Sequence, residues 1–188
     1  MLSINDLENG QFIILDGDPF EVLSVKHFHL GRGGANIQTK VRSLRTSKVF
    51  DRNFKPADKF EEAEIEKLKV YHIYSHRDEF WFSEIDNPKN RFSLPLEIIG
   101  NQKDFLKPNL EVTALKFRGQ IINMELPIKV DYNVIEAPPG IKGNTAQGGT
   151  KPIIIETGAK VLVPLFIKEG DIIKVNTQTG EYVERVTR

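Results

Sequence analysis

Short apolar runs follow one another so closely along this chain that no amphipathic helix longer than a turn or so fits between them, and that spacing confines it to strands and turns. Residues 11–15 (QFIIL) and 20–25 (FEVLSV) flank Asp16-Gly17-Asp18-Pro19, whose Asp-Gly step is the strongest hairpin signal present. Residues 19–26 and 37–44 bracket a second hairpin, and 41–44 and 49–54 continue the pattern across the polar turn 45–48. Several short strands within about 55 residues predict a small barrel. The acidic run 58–66, with Pro56 ahead of it, breaks the alternation and predicts a boundary or a short helical turn.

A second set of strands follows at 70–74, 80–83, 92–94, 110–117 and 121–126, with turns at 75–78, 86–88 and 118–119. Pro95 and Gly100 bound a single helical turn, since Pro suits a first helical position and Gly an end. Five strands and one short helix fit an OB-type barrel, and a sandwich fits them as well. The third set, 130–136, 153–155, 161–166, 172–175 and 182–186, repeats the theme. The fold expected is all-β, three consecutive small β-barrels, with domains at 1–64, 65–127 and 128–188.

Two loops stand out as candidate sites. Between the hairpin strands, Leu30-Gly31-Arg32-Gly33-Gly34 places one cation among three glycines, which can supply positive φ at a tip. A guanidinium there carries five donors and a charge that does not titrate away. From residue 26 to 55 eight basic residues (Lys26, Arg32, Lys40, Arg42, Arg45, Lys48, Arg52 and Lys55) face one acid, Asp51, with acids clustered on either side, as expected of a surface that meets phosphates. The second loop, 138–150, is Gly-rich and polar, and long for a hairpin, which in compact β domains points to function.

Enzyme chemistry finds little support. His72 and His76 stand four apart beside Asp78 and Glu79, but on a strand that spacing separates the rings by roughly 13 Å. A shared zinc, at about 2 Å from each nitrogen, needs them within about 4 Å. His27 and His29 have no carboxylate near them in sequence and read as surface histidines. Residues 143–148 have the glycine spacing of a phosphate loop, yet Gly149 stands where its lysine is required. There is no cysteine, the net charge is zero, and no basic start leads into a long apolar run. A soluble, cytoplasmic, monomeric non-enzyme with no metal and no membrane association is expected.

Read together, Gly140 to Ala146, Gly149-Thr150-Lys151-Pro152, Thr157-Gly158-Ala159, the run from Val161 to Ile167, Gly170-Asp171-Ile172 and Thr179-Gly180-Glu181-Tyr182 resemble bacterial elongation factor P. Asp16-Gly17-Asp18-Pro19-Phe20, the glycine loop around Arg32 and Glu79-Phe80-Trp81-Phe82 fall in that family's order, so the resemblance spans the chain. It implies an SH3-like barrel of the KOW type followed by two OB-fold barrels, in an elongated, tRNA-like outline. It further implies a factor that binds the 70S ribosome between the peptidyl and exit sites. There it would contact ribosomal RNA, position the CCA end of peptidyl-tRNA and stimulate peptide bond formation at stalled polyproline sequences.

By position, the resemblance makes Arg32 the residue that meets peptidyl-tRNA, with Leu30, Gly31, Gly33 and Gly34 shaping its loop, and Gly143, Asn144 and Thr145 the loop that meets the small subunit and the codon. No cofactor is implied. A tip lysine elsewhere in the family receives a β-lysyl group, which Arg32 excludes, and a tip arginine in another branch receives rhamnose. Leu30 replaces the proline usual beside the lysine, and Gly33-Gly34-Ala35-Asn36 is not the usual setting of the rhamnosylated arginine, so a modified and a bare Arg32 are both open. Asn144 stands where many members have aspartate. Two alternatives remain beside this reading: an elongation-factor-P-like paralogue with a different stall specificity, and a general RNA-binding protein of OB and KOW type.

Overall fold

The computed structural model describes residues 1–29, 35–139 and 149–186. Within them the chain is all-β. The strands are β1 (Leu2–Ser3), β2 (Phe12–Leu15), β3 (Asp18–His29), β4 (Ala35–Ser43), β5 (Val49–Phe54), β6 (Lys59–Glu62), β7 (Ile65–His76), β8 (Glu79–Glu84), β9 (Arg91–Pro95), β10 (Glu111–Phe117), β11 (Gln120–Glu125), β12 (Lys129–Glu136), β13 (Thr150–Ile155), β14 (Lys160–Pro164), β15 (Ile172–Asn176) and β16 (Glu181–Val186). A 3-10 turn (Ile4–Asp6) follows β1, and between β9 and β10 a one-turn helix α1 (Leu96–Ile99) runs into the 3-10 segment Gly100–Phe105. Three sheets result, ordered β1-β6-β2-β3-β4-β5, β11-β10-β7-β8-β9 and β14-β13-β12-β15-β16.

Local chemistry explains the tightest connections. Leu15 pairs with Asp18 across a two-residue loop in which Asp16 and Gly17 have φ of 53° and 86°, both positive, as a hairpin turn matched to strand twist requires. Pro95 lies at the N-cap of α1, one residue earlier than expected, and Gly100, with φ of 57°, is its C-cap. The 3-10 segment that continues from Gly100 carries no sequence period and was not expected.

In the first sheet Ile13, Phe20, Val22, Ile37, Val41, Phe54 and Phe60 form a core with Ile4 and Leu7. Within the acidic stretch after Pro56, residues 59–62 are strand rather than a helical turn, and the passage from the first sheet to the second falls just after them. β6 pairs with both β1 and β2, because Phe60 turns inward while Lys59, Glu61 and Glu62 stay in water. Phe60 packs edge-on against Phe54 of β5 at 4.6 Å, so β5 and β6, separated in the sheet order, meet through their rings and curl the sheet. Burying such a ring stabilises by about 2–3 kcal/mol.

The chain gathers into two compact units, residues 1–68 with 114–124, and residues 69–113 with 125–188. In the first, Leu44 and Ala63 pack with Leu115, Phe117 and Ile122. Beside them the buried Asn123 donates through Nδ2 to the Leu44 carbonyl at 2.8 Å and to Ser47 Oγ at 3.1 Å. In the second, the segment after α1 is tied to the third sheet. Tyr132 donates its hydroxyl to the Phe105 carbonyl at 2.6 Å, and Thr157 donates to the Asp104 carbonyl at 2.6 Å. Lys107 donates to the Asp131 carbonyl at 2.6 Å and lies 3.2 Å from Glu156 Oε1.

Candidate functional site

The long hairpin is built by β3 and β4, of twelve and nine residues. Their register runs from Phe20↔Ser43 to His29↔Ala35, with one irregularity between Val22 and Ser24 that sharpens the local twist. Val22, Ile37, Thr39 and Val41 are buried, so the base of the hairpin is part of the first core. From His27↔Ile37 the ladder continues about 7 Å to its last described pair. The tip residues Leu30, Gly31, Arg32, Gly33 and Gly34 lie outside the described residues.

Electrostatics at the hairpin base differ from the count along the sequence. Arg42 is engaged by Glu21, directly opposite it in register, and Arg45 by Asp18 at 2.6 Å. Both acids precede the basic stretch in sequence and fold across it. Lys40 stands opposite Asp51, the stretch's own acid. The positive excess is therefore smaller than the sequence count, and among the described residues it rests on the exposed Lys26, Lys48, Arg52 and Lys55. Arg52 has its guanidinium carbon 6.0 Å from the Phe50 ring centroid.

The second loop joins β12 to β13. Gly143, Asn144 and Thr145 lie outside the described residues, but the loop's two ends are fixed. Lys151, only 8 % exposed, donates through Nζ to the Pro138 carbonyl at 2.7 Å and so ties the start of β13 to the end of the preceding segment. At Gly149 a Cβ would lie 3.2 Å from Leu165 Cδ1, so the chain passes there at close range. Sequence reasoning missed Lys151. The available signal was its place in the alternation Lys151, Ile153, Ile155, which points a lysine to the inner face of β13. Beside this loop base, Glu136, Pro138, Pro152, Ile153, Ile154 and Lys160 line a cavity of about 220 Å³.

His72 is a core residue. Its Nδ1 is 3.0 Å from the Lys107 carbonyl, which can only accept, so Nδ1 carries the proton and Ser75 Oγ donates to Nε2 at 3.0 Å. Burial among Phe80 and Phe82 holds the imidazole below its usual range. Both nitrogens are used, and among the described residues no three His, Cys, Asp or Glu side chains converge as a metal site. No helix among them is long and apolar enough to cross a membrane.

Residues 3–60 match the family model described as the elongation factor P KOW-like domain, and residues 130–185 match that of the elongation factor P C-terminal domain. Elongation factor P of Moorella thermoacetica is 38 % identical over 185 residues, covering 98 % of this chain and all of its own length. The chain belongs to the elongation factor P family. Elongation factor P of Thermotoga petrophila is 41 % identical over the same length, with the same shares of the two chains covered. The relatives in this family are named as translation factors and not as enzymes. In fold, it is similar to a solved translation initiation factor eIF-5A family protein from Naegleria fowleri, with a TM-score of 0.50 and 14 % identity. That likeness covers 66 % of this chain and 96 % of the other, in keeping with a KOW-type barrel followed by OB-type strands.

Proposed function

We propose that this elongation factor P family member binds the ribosome between the peptidyl and exit sites, positions the CCA end of peptidyl-tRNA and restores peptide bond formation at consecutive prolines. The observation that supports this reading best is the β3–β4 hairpin, rooted in the first core and held by a ladder to His29↔Ala35, immediately before Arg32. A stiff two-stranded arm with a cation at its end suits the task of ordering a flexible RNA terminus. Proline is a rigid and poorly placed reactant, and fixing the donor end lowers the entropic part of the barrier while the ribosome carries out the chemistry. Arg32 is the contact to peptidyl-tRNA, bare or extended by a rhamnose, and Gly143, Asn144 and Thr145 meet the small subunit near the codon. The protein acts as a soluble cytoplasmic monomer with no cofactor.

Reconstituted translation of a message with three consecutive prolines tests the reading. The arms are no factor, native protein, protein made in a host without its modification enzymes, and native-source Arg32→Ala. Rescue by the native protein and loss of rescue with Arg32→Ala is the expected result, and the unmodified sample shows whether a sugar on Arg32 matters. Failure of the native protein on competent ribosomes refutes it.

A further inference from the structure

Two cross-strand rows on the outer face of β7, β8 and β9 display side chains that the core does not use. Register pairs Tyr71 with Ser83 and Ser83 with Arg91, and in the next row Tyr74 with Trp81 and Trp81 with Ser93. Their sequence neighbours His72, Phe80, Phe82 and Leu94 are buried on the opposite face. Residues three apart on a regular strand face opposite ways, but the irregularity between His72 and Tyr74 turns both tyrosines outward. Tyr71 and Tyr74 are 39 % and 47 % exposed. The Tyr74 and Trp81 rings are stacked, with centroids 6.0 Å apart and planes 15° from parallel.

None of the six positions is a carboxylate. Arg91 is exposed and has no ion pair among the described residues. The acids that border the face stand at its margins: Glu79 lies one row beyond Trp81, and Glu111 is held by Lys69 at 2.8 Å. The order β11-β10-β7-β8-β9, with α1 between β9 and β10, makes β8 and β9 the second and third strands of an OB-type fold. That is the face on which such folds receive oligonucleotides.

We propose that this face binds single-stranded RNA, with unpaired bases stacking on Tyr71, Tyr74 and Trp81 and a phosphate taken by Arg91. Planar rings suit any base, the guanidinium and the Ser83 and Ser93 hydroxyls suit phosphate and ribose oxygens, and the absence of a carboxylate removes the repulsion that an anionic chain would meet. Stacking of this kind is tolerant of sequence. The inference depends on the sheet face alone and is separate from the action of the Arg32 hairpin.

Trp81 is the sole tryptophan of the chain, so its emission reports this face and not RNA held elsewhere. The test is titration of the full-length protein with single-stranded heptauridylate and heptaadenylate RNA. The expected result is saturable quenching that weakens as salt rises, with Tyr74→Ala, Tyr71→Ala and Arg91→Glu each raising the dissociation constant by about tenfold while far-UV circular dichroism is unchanged. Absence of quenching at millimolar RNA overturns the proposal, as does quenching that all three variants leave intact. A face that ignores both RNAs but loses ribosome co-sedimentation in the same variants meets a protein instead, and that result also overturns it.

Discussion

Replacing Tyr132 by Phe removes one oxygen from a ring that has no exposed surface. The ring volume stays, and so does the Lys107 ammonium 5.3 Å from its centroid. What is lost is the 2.6 Å hydrogen bond to the Phe105 carbonyl, which is left without that donor. A buried bond of this kind contributes about 1–2 kcal/mol, so the variant should be less stable by that amount at pH 7. The pH dependence makes the test sharper. Burial, and then the charge of Glu156, raise the Tyr132 hydroxyl above the usual phenol range, so the folded chain keeps its proton where the unfolded chain releases it. Stability contributed by Tyr132 is therefore complete below about pH 10 and falls above it by up to about 1.4 kcal/mol per pH unit. An advantage of about 1.5 kcal/mol is cancelled roughly one unit above pH 10, so the native and variant stability curves should cross near pH 11. Urea denaturation followed by far-UV circular dichroism between pH 7 and 11.5 measures the difference, in which the other titrating groups cancel. A neutral-pH difference below about 0.3 kcal/mol, or one that does not narrow by pH 11.5, refutes the reasoning.

His72 is titrated in the opposite direction. Burial lowers its folded pKa, so its contribution is complete above about pH 6.5 and is lost as pH falls and the unfolded chain takes up the proton. The urea midpoint should drop between pH 7.5 and 5 in the native chain and drop less in His72→Gln; equal drops would remove His72 as the cause. Phe60→Ala should destabilise the first sheet by about 3–5 kcal/mol, because it empties a site 4 % exposed and removes the ring packed on Phe54. Hydrogen exchange should then quicken in β1, β2 and β6, and unchanged protection there would show that β6 does not close the sheet.

Most strands were legible because their inward residues alternate with polar ones, and their turns because Asp16-Gly17 and Gly119 suit the positive φ they adopt. β6 was not legible. Phe60 is its single buried residue, one inward side chain sets no period, and its partner Leu2 is at the far end of the domain's sequence. Charge was misjudged for a related reason: composition along residues 26–55 cannot register that antiparallel pairing brings Glu21 to Arg42 and folding brings Asp18 to Arg45. The outward pairing of Tyr71 with Tyr74 was hidden in the same way, since their odd spacing implies opposite faces until the ladder is seen to slip beside Ile73. Of the candidate site, Arg32, Gly143, Asn144 and Thr145 are expectations from sequence that lie outside the described residues, while the bond from Lys151 to the Pro138 carbonyl needed the fold.

The three sheets draw their strands from successive portions of the chain, 2–62, 65–125 and 129–186. A polypeptide emerging from the ribosome can therefore complete each set of pairings before the next has been made, without holding any strand open for a partner in a later set. The exception is the cluster in which Leu44 and Ala63 await Leu115, Phe117 and Ile122. Until that later hairpin is synthesised, the nascent first sheet carries an uncovered apolar patch, and the same stretch of chain that caps it delivers Asn123 to the Leu44 carbonyl. Synthesis that pauses between residues 63 and 115 would leave this patch exposed longest, so the pace of translation bears directly on how safely a translation factor is itself made.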